Sequence, residues 1–198
     1  MNKNVRNSII VVVILLLAVV LKLNSDQKHN TSSLTLFTGQ IEDIQKILIQ
    51  KGEDAIELYR EDEIWKIAGN DTLDVRENRI TNFFDNVLTA GRETLVSTNP
   101  EKWGTYSVDD STGLHLALIN DADETFGYFV FGRSKKDWSH NYIRTDNDPD
   151  VYLTSTSIIH HLNARDTFWG EKPKPVEIPE DSINIQIDSL EISQSSGE

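Results

Sequence analysis

Two stretches of the chain carry residues whose types and spacing could bind a metal ion. Asp146, Asp148 and Asp150 alternate in an Asp-Asn-Asp-Pro-Asp run, as carboxylates do at the first, third and fifth positions of a calcium loop. A helix–loop–helix calcium site also needs glycine at the sixth position and glutamate at the twelfth, but Val151 and Ser157 stand there. We interpret the run as a hairpin turn, with a looser calcium turn on the three aspartates as the alternative.

His160 and His161 form the second stretch. Adjacent residues on a helix point about 100° apart, so these two imidazoles are not expected to share one metal ion. The chain has no cysteine, no Gly-x-Ser-x-Gly elbow and no glycine-rich phosphate loop. A Ser-Lys pair at Ser134 and Lys135 falls in a predicted loop. We therefore expect no cofactor, no catalytic set and no enzymatic activity.

Two tryptophans are candidates for a binding surface. Trp103 and Trp138 fall in predicted turns, where an aromatic side chain can stay exposed and contact a partner. Trp65 lies in a predicted strand instead, so we expect it in the core. Trp103 and Trp138 are thus the predicted interaction residues.

The acidity of the chain limits its partners. Its formal net charge is −13, and a body of this charge is repelled by nucleic acid and by anionic bilayer surfaces. We therefore expect no nucleic-acid partner.

One apolar segment near the N-terminus determines the predicted location. Ile9 to Leu21 has no polar side chain, and extension to residues 8–23 gives a short transmembrane helix. Lys3 and Arg6 favour a cytoplasmic N-terminus at residues 1–7, with residues 24–40 as a tether outside. The alternative is a cleaved signal peptide and a secreted protein, although no small-residue cleavage pattern follows the segment.

Residues 41–170 are predicted to form one α+β domain. Short alternating strands near Ile44–Gln50, Ile56–Leu58 and Trp65–Ile67 predict an antiparallel meander. An apolar stripe at Ile80, Phe83, Phe84, Val87 and Leu88 predicts a helix over residues 74–91, with Asp74 and Glu77 as a capping box and Gly91 as a left-handed end.

A second block of similar order follows. Arg92–Thr98 is a predicted strand, and residues 99–104 predict one capped helical turn with Gly104 past its end. Strands at 114–119, 125–132, 141–145 and 151–153 precede a helix that Ser155 would cap and that would run through Trp169. The fold class is therefore α+β, with antiparallel meanders each backed by a helix, in two sub-units at about 41–98 and 99–170. The acidic tail at 171–198 has a strand pattern at 183–187.

The order of these motifs resembles a bacterial family known as domain of unknown function number 4340. The similar stretches are Glu63–Ile67, Tyr106–Asp109 with Leu114–Leu116, Phe131–Gly132, Asn141–Arg144, Asp150–Leu153 and Arg165–Asp166, across roughly residues 41–170. Ser107 departs from the family, which usually has glycine there. The resemblance implies a membrane-anchored extracytoplasmic module, often found beside gliding-motility-type ABC transporter components, and it implies no catalytic residues.

These observations together predict a non-enzymatic accessory or interaction module. It would be anchored in the bacterial inner membrane with its domain outside, and its partners would be an ABC-type transporter or other envelope proteins. The alternatives are a metal-dependent envelope hydrolase, which needs carboxylates and histidines converging in one pocket, and a small-ligand-binding domain with an apolar cleft.

Overall fold

The structure is a computed structural model of the chain that describes residues 7–8, 11–12, 35–134 and 137–173. Its strands, in chain order, are β1 (Lys46–Lys51), β2 (Asp54–Glu61), β3 (Ile64–Ile67), β4 (Asp74–Val75), β5 (Arg92–Ser97), β6 (Leu114–Ile119), β7 (Thr125–Arg133), β8 (Asn141–Thr145), β9 (Val151–Thr154) and β10 (Gly170–Glu171). Eight of them form one sheet in the order β3-β2-β1-β6-β7-β8-β9-β5, and β10 pairs with β4. The fold is α+β: mostly antiparallel sheet with a few short helices.

The first three strands form the predicted meander. β1 pairs with β2, and β2 with β3, both antiparallel. Gly52 makes the first turn at φ +59°, while Asp62 and Glu63 make the second at φ +49° and +67°. Glycine and aspartate adopt such left-handed angles more readily than most residues, so the polar turn clusters determine where each strand ends.

The middle of the sheet is covered on both faces. β6 is buried along its whole length, and the central strand β7 is buried from Tyr128 to Gly132. Neither strand shows polar alternation, because neither has a face in water. The sequence at 125–132 is apolar on both faces, which predicts a centrally placed strand, and the position of β7 in the sheet confirms that prediction.

The two predicted sub-units share this one sheet. β1 from the first block pairs with β6 from the second, with Ile49 opposite Leu116. β5 crosses to the far edge and pairs with β9. Ordered packing also reaches back into the predicted tether, since Thr35 bridges to Gly91 and Leu36 joins the core.

A helix packs, as predicted, on one face of the sheet, which we call the first face; its core contacts include Ile47, Ile49 and Leu116. The helix is shorter than predicted. It consists of α1 (Glu77–Asn82) followed by a π-helical segment at Phe83–Leu88. The predicted start at Asp74 is wrong, because Asp74 pairs with Glu171 as part of the β4–β10 ribbon. No side chain caps the helix, and Gly91 is not left-handed but bridges to Thr35.

The second predicted helix does not form. Residues 155–169 hold only a 3-10 turn at Ile159–His161 and the short helix α3 (Asp166–Trp169). Ser155 does not cap a helix; its hydroxyl oxygen accepts a hydrogen bond from the Gly91 amide at 2.9 Å. Ile158, Leu162 and Trp169 are core residues without belonging to one continuous helix. Their spacing along the chain resembles that of a helix, which is why the sequence predicts one.

The second face of the sheet is crossed by residues 99–113, which we call the strap. The strap begins with a 3-10 turn at Pro100–Lys102, where the Asn99 side chain accepts from the Glu101 amide at 3.0 Å, as predicted for a capped turn. Gly104 does not end this helical stretch, because α2 (Trp103–Tyr106) continues it. The helical stretch ends at Ser107 with φ +53°, a left-handed angle that glycine adopts more readily than serine.

The predicted anchor and tail lie almost entirely outside the described residues. Of the anchor at 8–23, only residues 8, 11 and 12 are described, and Val11 packs against the group of buried residues that includes Val108 and Val130. No helix in the described part of the chain is long and apolar enough to cross a membrane. The predicted tail strand at 183–187 lies outside the described residues.

We predict that Gly132→Ala destabilises the protein by about 2 kcal/mol through steric overlap with the strap. A Cβ atom at Gly132 would lie 1.9 Å from the Tyr106 carbonyl oxygen and 2.9 Å from that of Ser107, and both atoms belong to backbone. The measurement is urea unfolding of the full chain followed by tryptophan fluorescence.

Gly104→Ala is the matched control. A Cβ atom there meets only the Asp109 carboxylate at 3.8 Å, and alanine favours the helix, so stability should stay equal or rise. Equal unfolding midpoints for the two variants would contradict the close contact between β7 and the strap.

Candidate functional site

The three candidate aspartates lie in the β8–β9 hairpin turn, as predicted. Asp146 is left-handed at φ +49°. Asp148 accepts a hydrogen bond from the Asp150 amide at 3.0 Å, and Asp150 accepts one from the Tyr152 hydroxyl at 3.2 Å. These oxygens therefore stabilise the turn itself.

No group of three or more histidines, aspartates or glutamates is placed to hold a metal ion anywhere in the described ranges. Burial raises the pKa of Asp146, while the Asn147 backbone and Arg144 act in the opposite direction. The looser calcium turn on Asp146, Asp148 and Asp150 stays a prediction without a completed ligand set among the described residues.

A buried guanidinium joins this turn to the strap. The Arg144 side chain is 1% exposed, and its Nε donates to the Val108 carbonyl oxygen at 3.0 Å. One terminal nitrogen donates to Asp110 Oδ1 at 3.0 Å, and the other donates to the Asp146 carbonyl oxygen. The guanidinium also stacks on Trp103, 4.0 Å from the ring centroid. Arg144 thus connects β8, the strap and the hairpin turn.

The acceptors balance the cost of burying this charge. Desolvation lowers the pKa of Arg144, and Asp110 acts against that shift. The Asp110 side chain is 72% exposed, so the ion pair has one solvated partner. Three charge-assisted hydrogen bonds and an aromatic stack fix the guanidinium, which favours a rigid structural pin over a group free to bind substrate.

A histidine and a tyrosine lie on the same face, beside Arg144. His115 Nδ1 is 2.7 Å from the Tyr128 hydroxyl oxygen, and the two residues are only 5% and 6% exposed. Burial lowers the pKa of His115, with Asp110 acting against it and Arg144 with it. Burial likewise raises the pKa of Tyr128 to about 12. Both groups are therefore neutral at pH 7, and neither has the access to substrate that a base or nucleophile needs.

The strap has its own internal support at Asp109. Its carboxylate accepts from the amides of Ser111 and Thr112 at 2.9 and 3.0 Å, and also from both of their hydroxyls. Burial acts to raise the pKa of Asp109, but these hydrogen bonds outweigh it and hold the pKa well below its usual range. Asp109 therefore fixes the turn that leads from the strap into β6.

The two candidate tryptophans differ in exposure. Trp103 is half-buried: its indole nitrogen donates to the Pro149 carbonyl oxygen at 3.2 Å beneath the Arg144 stack. Trp138, in contrast, is 74% exposed in the segment that leads into β8. Trp65 packs against the main core, as predicted. Trp138 alone of the three has the exposure that contact with a partner requires.

The segment that carries Trp138 contacts an edge strand of the sheet. His140, two residues on, places Nε2 3.8 Å from Glu93 of β5 and Nδ1 2.5 Å from Asp137. Within the described residues β5 pairs only with β9, and Leu95 on it is 47% exposed. We call β5 together with residues 137–140 the β5 edge. β5 is an edge strand that carries the exposed side chain of Leu95, and residues 137–140 carry the exposed side chain of Trp138.

The other sequence candidates have structural positions. His160 and His161 lie in a 3-10 turn rather than on the predicted helix, with ring centroids 4.0 Å apart. Burial, then His160 and then Arg79, lower the pKa of His161. Ser134 is buried, and its hydroxyl oxygen accepts from the Asp137 amide at 3.0 Å.

Sequence reasoning missed two residues that organise this region, Arg144 and Asn141. Both lie in the predicted strand at 141–145, and both belong to the stretch that resembles the family. The available signal was a charge and an amide on either side of Tyr142 and Ile143, in a strand predicted within the body of the domain. Such groups are buried only when they have hydrogen-bond partners, so they indicate a polar network.

We predict that Arg144→Lys destabilises the protein by about 2–3 kcal/mol, because an ammonium cannot supply the forked hydrogen bonds or the stack on Trp103. Urea unfolding of the full chain measures the loss. The exposed Arg165→Lys serves as control, since its ion pair with Asp54 is long, at 4.0 Å, and solvated. An unchanged unfolding midpoint for Arg144→Lys would contradict the stabilising role of the Arg144 hydrogen bonds.

We further predict that His115 makes the protein less stable in acid. Because its folded pKa is depressed below the ordinary 6.5, the unfolded state binds the proton more readily. The contribution of His115 is complete above about pH 6.5 and is lost as pH falls from there through the folded pKa. Unfolding free energies between pH 8 and pH 5 should therefore fall less steeply for His115→Gln than for the natural chain. Equal slopes would sink the prediction.

The comparisons with known proteins give one match. Residues 65–184 match the family model described as domain of unknown function, DUF4340. The match runs from β3 through the strap and strands β6 to β9 into the tail. The match begins later and ends later than the predicted range of 41–170. No curated protein and no solved structure matches the chain. The family model covers more than half of the chain, and the protein belongs to the DUF4340 family.

Proposed function

We propose that this protein is a membrane-anchored, extracytoplasmic interaction module that acts by binding a partner protein rather than by catalysis. Its partner would belong to an envelope complex of the ABC-transport or gliding-motility type. The protein would sit in the bacterial inner membrane as a single-pass chain, with the sheet domain outside.

The sequence supports the location. The apolar run at residues 9–21 follows two cations, Lys3 and Arg6, and precedes an acidic body. Flanking cations favour retention of the N-terminus in the cytoplasm, so an uncleaved anchor would export everything downstream.

The β5 edge is the observation that carries the proposal. An edge strand presents unpaired backbone donors and acceptors, which a strand of a partner can extend by β-augmentation. Leu95 on this strand and Trp138 in the segment that contacts it expose apolar surface, and tryptophan is enriched among residues that dominate binding energy. We propose that an extended segment of the partner pairs with β5 and covers Trp138.

The buried titratable groups favour binding over catalysis. Arg144, His115 and Tyr128 are all less than one tenth exposed, and their polar atoms bind other groups of the protein. Arg144 holds the strap against the sheet, and His115 pairs with Tyr128 beneath it.

Position-specific photocrosslinking in cells tests this proposal. A photoreactive amino acid at position 138 should give a crosslink to an envelope partner, and the same probe at position 64 should not. Ile64 is the matched control, since it is 62% exposed on β3, the opposite edge of the same sheet.

A substitution then distinguishes binding at the β5 edge from nonspecific crosslinking. Leu95→Lys should abolish the crosslink from position 138 by placing a charge on the edge, whereas Ile64→Lys should leave it intact. The proposal fails if both probes capture the same proteins equally, or if Leu95→Lys has no effect. Fractionation of the intact chain into the cytosol would refute the proposed location.

A further inference from the structure

A small cleft lies at the end of the sheet where β1, β6 and β7 meet the segment at 159–165. Its volume is about 240 Å³, and its floor is formed by Leu114, Ile159 and Leu162, which are 3%, 8% and 4% exposed. Liquid water occupies about 30 Å³ per molecule, so the cleft has room for a ligand the size of a few waters to a short-chain acid.

Strand alternation places charged groups on one rim of this cleft. Lys51 follows Ile49 on β1, and Arg133 follows Phe131 on β7, each two residues on and therefore on the same face. Leu114 lies opposite both Lys51 and Phe131 in the strand register. Two cations thus extend the apolar face of the sheet beyond its last buried layer.

The opposite wall is held in place by a buried amide. Asn141 is 2% exposed, and its Oδ1 accepts from the amides of Ile158 and Ile159 at 2.7 and 3.0 Å. These bonds fix the 3-10 turn that carries His160 to the rim. The cleft is therefore preformed rather than dependent on a mobile side chain.

The charge of the cleft is opposite to that of the protein. Lys51, Arg133 and Arg165 line it with a single carboxylate, Asp54, in a chain of net charge −13. Asp54 lies 4.0 Å from Arg165, at the outer limit of an ion pair. Among the described residues neither Lys51 nor Arg133 has an ion pair or a side-chain hydrogen bond, so both are available to an anion.

A second, wider groove is a weaker candidate. It has a volume of about 820 Å³ along β4 and α1, but two of its three cations, Arg76 and Arg79, already have partners. Arg76 lies 3.4 Å from Glu171, and Arg79 stacks on Phe168 at 4.2 Å. Size alone does not favour it over the smaller cleft.

We propose that the cleft at Lys51 and Arg133 binds a small organic anion, a carboxylate that carries a short aliphatic group. Arg133 and Lys51 contact the carboxylate, and the aliphatic group lies on Leu114, Ile159 and Leu162. Guanidinium and ammonium groups recognise carboxylates through charge-assisted hydrogen bonds, and the apolar floor selects against fully hydrated anions. This site is independent of the β5 edge and of the partner proposed above.

Isothermal titration calorimetry of the full chain in a non-ionic detergent tests the proposal at low salt. Sodium valerate should bind at least tenfold more tightly than its neutral analogue pentanamide and more tightly than inorganic phosphate. N-Acetylvaline presents a peptide-like carboxyl end. Comparison of its affinity with that of valerate therefore distinguishes a peptide C-terminus from a free acid as the source of the carboxylate. Affinity should fall with added salt, since the rim is exposed.

Variants locate the site. Arg133→Gln and Lys51→Gln should each weaken valerate binding by about tenfold or more, while Lys102→Gln, an exposed lysine on the strap, should leave it unchanged. Methyl NMR signals of Leu114, Ile159 and Leu162 should shift on titration, and the same spectra show that each variant is folded. Equal binding of pentanamide and valerate, or loss of binding in Lys102→Gln as large as in Arg133→Gln, would overturn the proposal.

Discussion

Burying the Arg144 guanidinium constrains the rest of the second face. A charge in a protein interior must have its hydrogen bonds satisfied, and here the partners come from the strap and the β8–β9 turn, which are far apart in sequence. The strap must therefore cross the sheet at a fixed position. At that position β7 has room only for Gly132, and the strap turns back at Ser107, whose φ angle is left-handed. The hydrogen bonds of Arg144 thus account for the glycine at 132, the left-handed serine at 107 and the stacking on Trp103.

The sheet leaves different surfaces for different uses. Its first face is closed by the helix at 77–88 and by the segment ending at Trp169, and its second face is crossed by the strap. Among the surfaces that the described residues leave open are an edge, β5 with Trp138, and an end, the cleft at Lys51 and Arg133. The edge suits an extended protein segment, whereas the end suits a small anion. Both are places where regular packing stops, which is where binding groups can remain unpaired.

Period-two alternation and polar turn clusters were enough to predict most strands and the meander, and the run of apolar residues on both faces predicted the central position of β7. The stripe from Ile80 to Leu88 predicted the first helix for the same reason: a repeating pattern reflects a repeating environment. The second predicted helix failed because Ile158, Leu162 and Trp169 have helical spacing, yet Asn141 holds the intervening backbone in a 3-10 turn. Of the candidate site residues, Trp138 could be predicted to be exposed, but Lys51 and Arg133 could not be brought together, since their strands are joined only through β6.

By itself, the sequence determined the strands, the acidic character, the apolar N-terminal run and the membership in a family of unknown function. These properties depend on neighbours along the chain, and a period or a composition records them directly. Tertiary structure alone decided that the two blocks share one sheet, that Arg144 joins the strap to a distant turn, and that Lys51 and Arg133 line the same cleft. Those outcomes depend on pairings between residues tens of positions apart, and local pattern carries no information about which distant partner will satisfy a strand edge or a buried charge.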